Sequence, residues 1–322
     1  MSDDPCAGLT VDMFPAGAEL PYCLDPYGYG ADGPALPLNA AFLALFALSF
    51  IVHCTQIAVA RRYWWMLVMP VGLALEILGW SARVWSHFDL PSDGFIIQIC
   101  VLVIAPTLFS AALYWAGGLV IQQVAPHRSR CMTPKWFKIL FVSADVVSLV
   151  IQGIGGGMAG SAADDQPDQL ETGSNIMLGG IIVQLVIMIF YAAYMSIWSF
   201  FSISELRRAG TRMQLMVASL GVSSIAIIIR GVYRTIELAQ GFHGGLATDE
   251  PTILLDAIPI VVAVYTLAFI HPHWFLRVAP GFTLSLNEQM SQTTMVQPGG
   301  VGSPGASKLG SHNQEKAVGE MA

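Results

Sequence analysis

Residues 174–203 read SNIMLGGIIVQLVIMIFYAAYMSIWSFFSI, thirty residues without one acidic side chain, lysine, arginine or histidine. A helix needs about 20 predominantly apolar residues to cross the hydrocarbon core of a bilayer. A soluble helix of this length would need a polar face, and here only isolated Asn, Gln, Ser and Tyr interrupt the apolar run. The stretch therefore reads as a membrane span.

Six more stretches of the same kind lie outward from it, near 37–59, 64–86, 95–123, 136–158, 212–240 and 252–275. The whole chain of 322 residues is 54% hydrophobic and 11% charged, with a mean hydropathy of +0.60. An ordinary soluble domain carries about 25% charged residues, so the apolar excess here must face lipid. The expected fold is an all-α integral membrane protein, a seven-transmembrane helix bundle. Residues 1–36 form an amino-terminal segment, 37–277 the membrane domain, and 278–322, with PGGVGSPGAS at 298–307, a tail of disordered composition. The first 36 residues have no Lys or Arg and no long apolar run, so no signal peptide is expected there.

Orientation follows from the basic residues of the loops. Arg61 and Arg62, then Arg128, Arg130, Lys135 and Lys138, then Arg207, Arg208 and Arg212, then Arg277, Lys308 and Lys316 all fall on one side of the seven-span arrangement. The opposite segments hold acids instead, among them Asp25, Asp89, Asp93, Asp164, Asp165 and Asp249. The positive-inside rule puts the basic side, with the carboxy-terminus, in the cytosol and the amino-terminus outside. Trp64, Trp65, Trp136 and Trp274 stand next to the basic clusters, where an aromatic belt belongs. Cys6 and Cys23 share the outer, oxidising side and are a candidate disulfide.

Seven charged residues remain inside the spans: Glu76, Arg83, Asp145, Arg230, Arg234, Glu237 and Asp256. Each would cost about 2.5–3.5 kcal/mol at the centre of a helix facing lipid, so they are expected to face one another or a wet cavity. Arg230, Arg234 and Glu237 follow at i, i+4 and i+7 and share one face of the sixth span. Glu76 with Arg83, and Asp145 with Gln152, are each seven apart and likewise share a face. Arg83, Gln98, Gln152, Arg230, Arg234, Glu237 and Asp256 fall in the outer half of the membrane by this topology, with Glu76 and Asp145 deeper. Either a packing network or a polar chamber for a ligand headgroup fits these residues. Glu76 and Asp145 have no obvious basic neighbour at their depth, which makes each a candidate proton carrier. Pro70, Pro106 and Pro259 are expected to kink the second, third and seventh spans.

Enzyme chemistry finds little footing. His271 and His273 are two apart and are expected on different sides of the seventh span; His53 and His271 share a level but have no third ligand for a metal. The run GIGGGMAG at 153–160 follows no strand and lacks the Lys-Ser/Thr of a phosphate loop, so close helix packing is the better reading. No enzyme activity, cofactor, metal or nucleic-acid partner is expected.

The motifs occur in a telling order. YGYGADGPALPLNAAFLALFALSF (27–50) precedes LEILGWSARV (75–84), FIIQICVLVIAPTLFSAALY (95–114) and HRSR (127–130). SADVVSLVIQGIGGG (143–157), NIMLGGIIVQ (175–184), IIIRGVYRTIE (227–237), DAIPI (256–260) and HPHWF (271–275) follow. From Tyr27 to Phe275 the chain resembles the fungal RTA-like family, also called lipid-translocating exporters. The resemblance implies a plasma-membrane protein whose partners are membrane lipids or amphiphilic small molecules, such as sphingoid long-chain bases or toxic sterol-like compounds. It implies a contribution to resistance. It also places Glu76, Arg83, Gln98, Asp145, Gln152, Arg230, Tyr233, Arg234, Glu237 and Asp256 within the family's motifs as substrate-binding or translocation residues. A seven-helix lipid sensor that does not transport is the alternative.

Overall fold

The computed structural model describes residues 13, 15, 34–88, 94–128, 134–161, 167–240 and 250–276. Cys6, Cys23 and the 278–322 segment lie outside the described residues. Helix α1 (Leu36–Val59) leads through a 3-10 segment (Arg61–Leu67) into α2 (Val68–Phe88). Then come α3 (Gly94–Val124), α4 (Pro134–Gly160), α5 (Pro167–Phe201), a short α6 (Ile203–Ala209) and α7 (Thr211–Ala239). Helix α8 (Glu250–Phe269) and the single turn α9 (Pro272–Phe275) close the bundle. No strand occurs among the described residues.

Six of these helices, α1 to α5 and α7, are long and apolar enough to cross a membrane. The seventh expected stretch forms α8, whose described apolar part, Leu254–Phe269, is shorter. It does not run on to residue 275. His271 precedes Pro272 and is held extended (φ −73°, ψ 135°), a conformation the following proline ring favours. Its Nδ1 accepts the His273 backbone N–H at 3.2 Å and caps α9. His271 therefore stands in a break of the seventh helix and His273 in the turn α9 beyond it, where the sequence suggested one continuous helix.

Other boundaries shift for local reasons. Helix α5 starts at Pro167, seven residues before the apolar run, because a proline at the first position followed by Asp168 makes a good helix start. Pro70 falls in the first turn of α2, where its missing N–H has no intrahelical bond to lose. It stands at the junction of the 3-10 segment and α2. Pro106 and Pro259 do lie inside α3 and α8.

Helix α3 is the central member, with 67% of its apolar stretch buried against 22% in α1. It packs on α2, α4, α5 and α7. Helices α4 and α5 meet backbone to backbone. A Cβ on Gly155 would stand 2.5 Å from Met177 N, and one on Gly173 would stand 2.6 Å from Ala159 N. The GIGGGMAG run is thus a helix-packing seam. Trp64, Trp136 and Trp274 are exposed, as interface anchors would be. Trp65 is not: it is buried and stacks on Trp115 at 6.1 Å, a core contact in place of a belt position.

Candidate functional site: a buried cluster of six charges

The i, i+4, i+7 spacing on α7 delivers Arg230, Arg234 and Glu237 to one face, and α8 packs Asp256 against it. Arg234 donates through Nε (2.8 Å) to Asp256 Oδ1 and through Nη2 to Oδ2, a two-pronged clamp on one carboxylate. Its Nη1 lies 3.1 Å from Glu237 Oε2. Arg230 Nε is also 2.8 Å from Asp256 Oδ1, but off line, so this contact is an ion pair without an aligned hydrogen bond. One carboxylate thus serves two guanidinium groups.

Helix α2 supplies the next layer. Glu76 Oε1 stands 3.9 Å from Arg230 Nη2, and Trp80 Nε1 donates to Glu76 Oε2 at 3.2 Å. Glu76 therefore has a basic neighbour, contrary to the expectation from depth: α7 brings Arg230 within reach across the bundle. Two turns further along α2 from Glu76, Arg83 comes within electrostatic reach of Glu237 and Asp256. Three acids and three arginines are so gathered from α2, α7 and α8. Five of the six are nearly sealed, from 1% exposed for Glu76 to 6% for Arg234. Burial of that many charges is tolerable only with close pairing of opposite signs.

Helix α3 contributes a backbone group. Pro106 has no N–H, so the carbonyl four residues earlier, on Leu102, has no intrahelical donor. That carbonyl accepts Arg230 Nη2 at 2.8 Å. A proline inside a spanning helix has created an acceptor for a buried guanidinium group.

The cluster borders a cavity between α3, α5 and α7 of about 400 Å³, its open mouth included. Arg230, Arg234 and Gln184 are its polar wall, and Val103, Pro106, Ile181, Leu185, Met188 and Ile227 are among its apolar ones.

The remaining expected residues divide. Tyr233 is buried beside Arg234, and Gln98 is buried near the start of α3. Gln152 does not join the charges; its Nε2 donates to Gln184 Oε1 at 2.9 Å, which ties α4 to α5. Asp145 stands apart as well. It is buried beside the Tyr114 hydroxyl, and neither its oxygens nor that hydroxyl makes a hydrogen bond of ordinary geometry. Tyr114 belongs to a ring cluster with Phe141 (5.2 Å) and Tyr191 (4.8 Å). Asp145 has no ionic partner among the described residues. Sequence reading missed Gln184, Trp80 and the Leu102 carbonyl. Gln184 had a signal, a lone amide in an apolar run; Trp80 had another, four residues after Glu76. The Leu102 carbonyl was implicit in Pro106.

His53 Nε2 contacts the Val264 carbonyl at 3.2 Å and lies within electrostatic range of His271. Among the described residues, no three or more His, Cys, Asp or Glu side chains gather as a metal site would require.

Six helices long and apolar enough to cross a membrane, gathered with a buried, charge-balanced cluster and a half-open cavity, mark a multi-pass membrane protein. Residues 69–279 match the family model described as RTA1 like protein, and the chain belongs to that family. It is 26% identical over 284 residues to the sphingoid long-chain base transporter RSB1 of Saccharomyces cerevisiae, covering 76% of this chain and 73% of that protein. Protein RTM1 of the same organism is 25% identical over 228 residues, covering 68% of this chain and 71% of that protein. Protoporphyrin uptake protein 1, also from Saccharomyces cerevisiae, is 26% identical over 201 residues, covering 60% and 64%.

Proposed function

We propose that this protein translocates lipids or lipid-like amphiphiles across a membrane, with the six-charge cluster and its cavity as the headgroup chamber. The observation that carries the reading is the position of Arg230 and Arg234: both belong to the cluster, and both line the cavity. A charge network that served packing alone would have no reason to border such a space. The likeness to a protein named as a sphingoid long-chain base transporter supports a long-chain amphiphile as cargo. Helix α8 is the seventh span in this reading, the amino-terminus is outside, and the 278–322 tail is cytosolic. The plasma membrane is the site of action, and export of toxic amphiphiles confers resistance. Glu76, Arg83, Arg230, Arg234, Glu237 and Asp256 form the chamber; Gln98, Gln152 and Tyr233 support it, and Asp145 is a separate buried carboxyl group.

The test is reconstitution of the full-length protein into vesicles with a fluorescent long-chain base. Protein-dependent movement between leaflets, read by quenching of the outer leaflet, is expected. Binding without movement would replace transport by a sensor function.

A further inference from the structure

The six charges sum to zero, but they are not arranged evenly around the cavity. Asp256 is drawn onto Arg230 and Arg234 from α8, Glu76 reaches Arg230 from α2, and Glu237 pairs with Arg234 along α7. None of the three acids lines the cavity, whereas both arginines do. Arg230 uses Nε and Nη2 in the contacts described, and its Nη1 takes part in none of them. A guanidinium group carries five N–H donors and no acceptor, so the charged wall of this cavity offers donors alone. An ammonium group entering here would meet two positive charges. A carboxylate or phosphate would meet the N–H groups that the cluster's own acids leave over, those of Arg230 Nη1 first.

The mouth of the cavity suits a chain. Its other walls are apolar, and Leu185 and Gly231, both half buried, come together at its edge; a Cβ on Gly231 would stand 3.0 Å from Leu185 Cδ1. Beyond them the flanks of α5 and α7 expose Ile182, Val186, Ile229 and Val232, a surface for hydrocarbon. Most of the 400 Å³ is the open mouth; the room inside for a water-sized group is about 30 Å³, so the chain has to lie outside, along α5 and α7.

We propose that this cavity binds an amphiphile through an anionic group, a carboxylate or a phosphate, held by Arg230 and Arg234, with the hydrocarbon chain leaving between α5 and α7 past Leu185 and Gly231. This assignment rests on the translocation reading and narrows it, because it makes the acceptor end of the headgroup, and not an amine, the part the cavity recognises.

Binding to the full-length protein in detergent micelles tests it with three probes of one chain length: pyrene-labelled hexadecanoate, the matching amine and the matching alcohol. The carboxylate should bind about tenfold or more tighter than the amine. Competition by unlabelled hexadecanoate and hexadecyl phosphate then tells which anionic group the site prefers. Leu185→Trp fills the cavity mouth without touching the ion pairs. It should weaken carboxylate binding by a similar factor and leave the melting temperature unchanged. Amine binding equal to or tighter than carboxylate binding would overturn the proposal, as would carboxylate binding indifferent to Leu185→Trp. If the amine wins while the long-chain base still moves in vesicles, the anionic assignment fails and translocation stands. If the carboxylate binds at this mouth and neither the long-chain base nor the labelled hexadecanoate moves in vesicles, the site stands and translocation fails.

Discussion

Glu76 and Asp145 look alike in the sequence: each is a lone acid in an apolar span with a polar residue seven positions later. The bundle gives them opposite surroundings. Glu76 is drawn into a six-charge cluster by Arg230 and accepts from Trp80. Asp145 is set beside Tyr114, which packs on Phe141 and Tyr191, with no ionic partner among the described residues. The difference shows that charge pairing here is a property of helix neighbours. Arg230 reaches from α7 to Glu76 on α2 across the bundle interior, whereas the Asp145 face of α4 meets the aromatic side of α3 and α5. The two acids should therefore answer very differently to the same neutralising change.

The largest effect is expected for Asp256→Asn. It removes the carboxylate that serves two guanidinium groups, and breaking a buried pair typically costs about 3–5 kcal/mol. Unfolding of the purified full-length protein in mixed micelles should register a loss of that order, and surface abundance should collapse. Glu76→Gln should cost less, about 1–2 kcal/mol, because its ion pair is long and the amide oxygen still accepts from Trp80. Asp145→Asn should change stability by under about 1 kcal/mol in either direction, since no buried cation loses a partner. Equal losses for Glu76→Gln and Asp145→Asn would erase the contrast between the two regions. Pro106→Ala should have the smallest effect on stability, because the restored N–H repairs the α3 ladder. The same N–H competes with Arg230 for the Leu102 carbonyl, so lipid movement should fall while surface abundance holds.

Much of this architecture was legible in advance. The apolar runs marked six spans to within a few residues, except where α5 began early at Pro167. The common face of Arg230, Arg234 and Glu237 followed from the 3.6-residue period, and Asp256 could be placed opposite them. What could not be read was which helices touch. Nothing local in LEILGWSARV says that Arg230, more than 140 positions later, will stand beside Glu76. The pairing of Gln152 with Gln184 was hidden for the same reason: it depends on a glycine seam whose partner helix is chosen by packing. The break at His271 was legible in principle from the following proline, but the apolar tone of HPHWF masked it.

The central claim is that the charged cluster binds cargo as well as holding helices together. The most direct measurement compares Arg234→Gln, Glu237→Gln and the double change, each scored for surface abundance and for lipid movement in vesicles. The double change removes one charge of each sign and leaves Asp256 with Arg230, so the remaining two acids and two arginines still balance. A binding role predicts that abundance recovers in the double variant while lipid movement stays lost. Recovery of both together would contradict it and leave the cluster a packing device.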